Sequence, residues 1–154
     1  MSGTTGVYLR CRLGREWYGI HTDQVYKVLQ MTALTELPDS SPDVLGLLTL
    51  SDSIIPVVDM RLRLNLPFAP LRLDIPIVVV MTPRGMVGLV VDEADDLETI
   101  DASQIELSDS GLSRYVVGVA VCPDRLLLLM DMSLLDAAKT PDLPAQTAGE
   151  GSRT

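Results

Sequence analysis

The strongest constraint on the fold is a short unit written twice. Gly46 to Leu62 reads as an apolar run, a polar tip (Ser51-Asp52-Ser53), a second apolar run and an Asp able to cap a helix. The unit returns 72 positions later without a gap, with Val44, Gly46, Asp52, Asp59, Met60 and Leu62 matched by Val116, Gly118, Asp124, Asp131, Met132 and Leu134. Apolar strands resemble one another by chance, but turn Asp and post-strand Asp coinciding in both copies is a stricter match. Two copies are too few for a solenoid, so the repeat predicts a pair of similar β lobes. Asp59 and Asp131 are expected to accept hydrogen bonds from the free N–H groups of a following helical turn, a contact whose removal costs about 1 kcal/mol.

Composition narrows what such lobes can bind. Hydrophobic residues make up 47% of the 154, with 4% aromatic, so the core must be aliphatic. A net charge of −9 disfavours polyanions such as nucleic acid and anionic membrane surfaces, where affinity comes largely from Lys and Arg at phosphates. Protein partners fit better. The first residues lack a basic stretch followed by an apolar one, and no apolar run approaches the ~20 residues that span a bilayer, so a cytoplasmic location without membrane insertion is expected. Cys11 and Cys122 fall within strand patterns, where a thiol behaves as a small hydrophobe, and a disulfide is not expected in that compartment.

Taken in order, Val7, Leu9, Cys11 and Leu13 alternate with Tyr8, Arg10 and Arg12, the period of a strand with one wet face. Gly14-Arg15 turns the chain into a return strand from Trp17 to His21. Thr22 is then placed to cap a short helix with Val25, Val28 and Leu29 on one face. Met31–Leu37 reads as extended, and the Pro-punctuated stretch Pro67–Pro70 is the best candidate for a crossing between lobes. Ile75–Met81 and Met86–Val91 form another strand pair, and the acidic run after Val91 continues as an edge strand. Asp101–Gln104 is a capped turn, and Asp131 opens a terminal helix through Lys139. The length suits one domain, taken as 7–138 on the resemblance given below, and the composition predicts a disordered tail over 139–154. About ten short strands with few helices and no βαβ alternation indicate an all-β pair of barrels.

Little in the sequence supports catalysis. Three strands end in Asp (Asp59, Asp92, Asp131), but each precedes Met or Glu and none opens the Thr/Ser-Gly turn of an aspartic protease. The glycines are isolated, without a phosphate-binding Gly-Lys-Ser/Thr, and no Ser sits in a nucleophile elbow. His21 has no Cys or His at metal-ligand spacing, and the acidic run lacks the alternation of a calcium loop. No catalytic, metal or cofactor residue is therefore assigned; binding through strand edges and a groove is the better expectation.

Leu13-Gly14-Arg15-Glu16-Trp17-Tyr18-Gly19-Ile20, Val25-x-x-Val28-Leu29, Leu37-Pro38, Gly46 through Asp52, Ile54 through Arg61, Val87 through Asp92 and Tyr115 through Gly118 occur in an order and spacing that resembles the CheW-like domain of bacterial chemosensory systems. The resemblance covers about residues 7 to 138. It implies two SH3-like five-stranded β-barrel lobes with short helices, no enzymatic activity and no cofactor. It also implies a role as an adaptor coupling the chemoreceptor cytoplasmic tip to the regulatory domain of a CheA-type histidine kinase. Carried over position by position, the partner-binding residues are Val25, Lys27, Val28, Gly46, Leu48, Ser51, Asp52, Val87 and Gly88. The family usually has Asn-Leu-Arg-Gly at the first hairpin tip and Glu within the Val25–Val28 segment. Here Thr49-Leu50-Ser51-Asp52 and Lys27 stand there, an atypical receptor-facing surface of reversed sign in which Lys27 and Asp52 are placed to pair. The alternative is a small-molecule-sensing or regulatory β-barrel module outside flagellar chemotaxis, for example in pilus-type signalling.

Overall fold

The computed structural model describes residues 5–67, 70–107 and 114–135, so the expected tail over 139–154 and the far part of the terminal helix lie outside the described residues. Eleven strands are present among the described residues: β1 (Thr5–Leu13), β2 (Glu16–His21), β3 (Val25–Gln30), β4 (Val44–Leu50), β5 (Ser53–Asp59), β6 (Pro76–Thr82), β7 (Gly85–Val90), β8 (Glu93–Asp101), β9 (Ile105–Leu107), β10 (Val116–Val121) and β11 (Leu126–Met130). The helix α1 (Met60–Arg63) follows β5, and single 3-10 turns occupy Thr22–Gln24, Ala102–Gln104 and Met132–Leu134. Two sheets result, ordered β8-β1-β2-β11-β10-β9 and β3-β6-β7-β5-β4.

The strand order shows that the sequence repeat is not the spatial lobe. The hairpin β1–β2 from the first half packs beside β10–β11 of the second, while β6–β7 from the second half packs beside β4–β5 of the first. Each exchanged hairpin is held by a parallel pairing, β11 with β2 and β5 with β7. The exchanged hairpins repeat as well, at an offset of 69: Gly19, Ile20 and Asp23 correspond to Gly88, Leu89 and Asp92. Gly19 and Gly88 occupy the parallel seams, where an added Cβ would lie 2.9 Å from Leu127 and Ile77 respectively. Chain crossings between lobes therefore fall at Thr22–Gln24 and at Val91–Asp92. Pro67–Pro70, expected to cross, instead connects β5–α1 to β6 within one sheet.

Equivalence of the two hairpins extends to their irregularities. β4 slips register between Val44 and Gly46, and β10 slips between Val116 and Gly118. Both bulges admit a neighbouring backbone: a Cβ on Gly46 would stand 2.6 Å from the Thr35 carbonyl, and one on Gly118 3.1 Å from that of Glu106. Each neighbour closes its barrel, Thr35 by a single bridge to Leu47 and β9 by a three-residue ladder to β10. That difference in length is why one lobe counts six strands where five were expected. Asp59 and Asp131 cap their turns as expected, accepting from the Arg61 and Ser133 N–H groups.

Apolar burial divides into three cores. Leu48, Ile55, Val57, Ile75, Ile77, Val79 and Val90 fill the five-stranded barrel. Ile100, Ala120, Cys122, Leu127 and Leu129 fill the six-stranded one, with Tyr8 and Trp17 against them. The largest core lies between the lobes and draws Leu9, Cys11, Leu13, Ile20, Val58, Met60, Val78, Val80, Leu89, Met130 and Met132 from both. Cys11 and Cys122 are thus held in separate cores and are not disulfide-bonded. The supposed wet face of β1 is wet only in part, because Tyr8 and Arg10 look into the mouth of the six-stranded barrel.

One expected helix is a strand. Val25, Val28 and Leu29 have helical spacing, but Val25–Gln30 is β3, paired antiparallel with β6, with a register slip between Val25 and Lys27. The extra residue turns the two-residue period of a strand into the three-residue step from Val25 to Val28, imitating a helix. The preceding 3-10 turn is capped by the His21 side chain, which accepts from the Asp23 N–H, and not by Thr22.

The two bulge glycines should not be equally replaceable. Gly46 has φ +152 and faces a backbone atom, so Gly46→Ala should cost about 2 kcal/mol or more, through backbone strain plus overpacking. Gly118→Ala, with more room, should cost clearly less; urea unfolding of both variants gives the comparison.

Candidate functional site

Where the chain returns from β7 to β8, a buried ion cluster joins the lobes. Arg61 sits in the first turn after β5 because Asp59 caps that turn, and its side chain folds back on the cap. Its Nε donates to Asp59 Oδ1 at 3.0 Å and its Nη2 to Asp59 Oδ2 at 3.1 Å, a bidentate contact. Its Nη1 donates to Asp92 Oδ1 at 3.2 Å. All three residues are buried. Hydrogen bonding to Asp59 raises the Arg61 pKa further, outweighing burial, so the guanidinium is permanently charged. The second Asp92 oxygen accepts from the Gly14 N–H at 2.7 Å, and the Asp92 N–H donates to the Arg12 carbonyl at 2.9 Å. Asp92 therefore ties the β1–β2 turn of one lobe to α1 of the other. The structure does bring two strand-end Asp residues together, but a guanidinium stands between them and hydrogen-bonds both, which is not the arrangement of an acid–base pair.

The other crossing is tied through a neutral side chain instead of a guanidinium. Gln24, in the Thr22–Gln24 turn, donates to Asp131 Oδ1 at 2.9 Å and accepts from the Met132 N–H at 3.0 Å. Burial alone would raise the Asp131 pKa; hydrogen bonds from Gln24 and Ser133 outweigh it and hold the carboxyl below its ordinary value.

Beside the ion cluster runs an open groove of about 460 Å³ between β3 of one lobe and the start of β8 of the other. Val28, Leu29, Pro76 and Ala94 supply its apolar lining, and Gln30, Arg72, Asp74, Asp92 and Glu93 its polar one. Arg72 donates to the Asp92 carbonyl at 3.0 Å, fixing one wall. A second groove of about 400 Å³ lies at the other crossing, lined by Tyr8, His21, Gln24, Ile105, Leu129 and Asp131 among others.

The residues expected to bind partners separate by depth. Lys27, Val28, Ser51 and Asp52 are exposed and Val25 is half-buried. Leu48 is buried in the five-stranded barrel and Val87 in the interlobe core, while Gly46 is buried against the Thr35 backbone and Gly88 against the Ile77 and Val57 side chains. These last four shape the lobe from within and offer no side chain to a partner. Val25, Lys27 and Val28 share the open edge β3; Ser51 and Asp52 form the tip between β4 and β5, at the opposite end of the strand order. No ion pair joins Lys27 to Asp52, contrary to the expected pairing. Tyr26, more exposed than Val28, and Met81 near the end of β6 are both half-exposed and stand outside the set expected to bind partners. The run Val-Tyr-Lys-Val, β-branched and aromatic, was the available signal for a strand. Among the described residues no group of three or more His, Cys, Asp or Glu is placed to hold a metal ion, and no helix is long and apolar enough to cross a membrane. The Cys122 thiol is pushed up to about 11 by burial and by Glu98, so it stays protonated at neutral pH.

The CheW-like domain model matches residues 7–139, nearly all of the described chain. The chain belongs to the CheW-like domain family. Among its relatives, the "Chemotaxis protein CheW" of Bacillus subtilis is 33% identical over 101 residues, covering 66% of this chain and 64% of that protein. The match thus spans just under two thirds of that relative's length. The "Chemotaxis protein CheW" of Klebsiella aerogenes is 25% identical over 132 residues, covering 83% of this chain and 80% of that one. In fold, the crystal structure of the scaffolding protein TtCheW from Thermoanaerobacter tengcongensis aligns with a TM-score of 0.83 at 22% identity, covering 91% of this chain and 98% of that chain. The exchanged-hairpin, two-lobe architecture is therefore the fold of this CheW-like domain.

Two measurements test the crossings. Arg61→Met strands two buried carboxylates and should cost about 3–5 kcal/mol; Asp59→Ala should likewise exceed the ~1 kcal/mol of an isolated cap, both read by chemical denaturation. The lowered pKa of Asp131 makes its contribution complete above the ordinary carboxylate pKa, and that contribution fades as pH falls through the lower folded value. Asp131→Asn should consequently lower stability at pH 7 and flatten its decline on acidification, measured as thermal midpoint against pH.

Proposed function

We propose that this chain is a non-catalytic chemosensory adaptor that couples chemoreceptors to a CheA-type histidine kinase. The observation that carries the reading is the family match over 7–139 on a two-lobed β scaffold. In this reading the kinase regulatory domain and the chemoreceptor cytoplasmic tip dock on different faces of the cytoplasmic protein. The receptor tip lies against the five-stranded lobe, where Val25, Lys27, Val28, Ser51 and Asp52 supply side chains. Gly46, Leu48, Val87 and Gly88 act from beneath by setting the shape of that lobe.

Titration calorimetry with the purified kinase regulatory domain and a receptor-tip fragment from the same organism tests the proposal. Binding of both, together and without mutual exclusion, is the expected result; absence of heat and of co-migration with either at tens of micromolar overturns it. An apolar kinase contact should change little between about 50 and 300 mM salt, since screening acts mainly on exposed charge. Lys27→Glu and Asp52→Arg should each alter receptor-tip affinity about fivefold or more while leaving kinase binding unchanged, because exposed interface charges set partner choice and on-rate more than stability.

A further inference from the structure

From the bulge in β3 we infer that Tyr26 is an anchor residue of the partner-binding surface, and that the segment seated on it presents a carboxylate beside apolar side chains. The inference rests on the adaptor reading and adds to it a residue and a partner chemistry.

A regular half-buried strand alternates buried and exposed side chains, so three consecutive exposed ones require an irregularity. In β3 the slip between Val25 and Lys27 supplies it, and Tyr26, Lys27 and Val28 are all exposed in succession. Tyr26 is 53% and Val28 40% exposed, an aromatic and an aliphatic residue flanking a cation on a strand paired only on its β6 side. Bulges at sheet edges re-aim side chains and can also protect an edge from pairing. Protection alone is served by Lys27; it does not call for an exposed Tyr and Val on either side.

Charge identifies the occupant. The chain carries net charge −9 and only two lysines, Lys27 and Lys139. Arg10, Arg12, Arg61, Arg63, Arg72 and Arg125 are each engaged in ion pairs with neighbouring Asp or Glu. Lys27 has no such partner among the described residues, so its ammonium is available to an incoming carboxylate. Tyr brings a large, rigid contact area at low entropy cost, which is why it is common among dominant interface residues.

The test uses the full chain with the two fragments named above, measuring affinity for each by calorimetry and folding by thermal unfolding. For the receptor-tip fragment, which seats on β3 in this reading, Tyr26→Ala should weaken binding about tenfold or more, while Tyr26→Phe retains most of it. Lys27→Glu should weaken the same fragment more than Lys27→Met does, and the difference should shrink at high salt. Reversing an acidic residue of that fragment to Lys should restore affinity for Lys27→Glu. If both fragments bind the wild type but Tyr26→Ala and Lys27→Glu leave both affinities unchanged with folding intact, the anchor assignment is overturned and the adaptor reading stands. If neither fragment binds the wild type, both fail together.

Discussion

The Asp59–Arg61–Asp92 cluster is the interaction on which the relation of the two lobes depends. Its three charges come from the end of β5, the turn after it and the crossing into β8. Removing three ionised side chains from water is costly, and a well-packed apolar substitute is often as stable or more so. What the cluster provides that an apolar contact does not is direction. A bidentate guanidinium accepts one geometry of Asp59, and its remaining nitrogen then fixes where Asp92 can stand. Because Asp92 also receives the Gly14 N–H and its own N–H reaches Arg12, the turn of the exchanged hairpin is set by the same charges.

The exchange of hairpins explains why such fixing is needed. A duplicated unit that folded each copy on itself would give two lobes joined by one linker, free to reorient. Here β1–β2 and β6–β7 each complete the other copy's sheet, so the chain passes between lobes twice and the largest apolar core lies between them. The parallel seams β2–β11 and β5–β7 are closed by Gly19 and Gly88, where a side chain would collide with the neighbouring aliphatic residues. Both crossings are pinned to the capping Asp of the opposite unit, Asp131 through Gln24 and Asp59 through Arg61. The same cap thus ends a strand and locks a lobe.

Much of this was legible in the sequence, and the misses have physical reasons. The second hairpin and its caps were readable because turn and capping residues are local signals at fixed spacing. The exchange was not, since pairing of distant strands leaves no local trace, and the repeat of the first hairpin hides at an offset of 69 instead of 72. The Val25–Leu29 helix failed because a bulge adds one residue to a strand period. Asp59 was readable as a cap but not as a buried charge, because its bidentate partner two residues on looked like an ordinary surface Arg. For the candidate binding residues, a family match does not report depth: Leu48 and Val87 are interior, while Tyr26, at the bulge itself, is outside.

The edge strands show how two copies of one unit can diverge. β3 and β8 hold corresponding places, each following a crossing and pairing with the first strand of an exchanged hairpin. β8 is an acidic strand whose charges are largely spoken for, with Glu93 on Arg12 and both Asp96 and Glu98 on Arg10. β3 is nearly uncharged, with exposed Tyr26 and Val28 around an uncommitted Lys27. An edge whose charges are satisfied internally offers little to a partner, whereas one that exposes apolar groups around a free cation offers a contact surface even while its Lys guards against strand pairing. Two copies of one unit begin with identical faces, and these two edges no longer match. In this chain the difference is concentrated on the exposed faces of the two edge strands, whose other faces still pack on the cores through Val25, Leu29, Ala94 and Ile100, and on those exposed faces substitution costs least in stability.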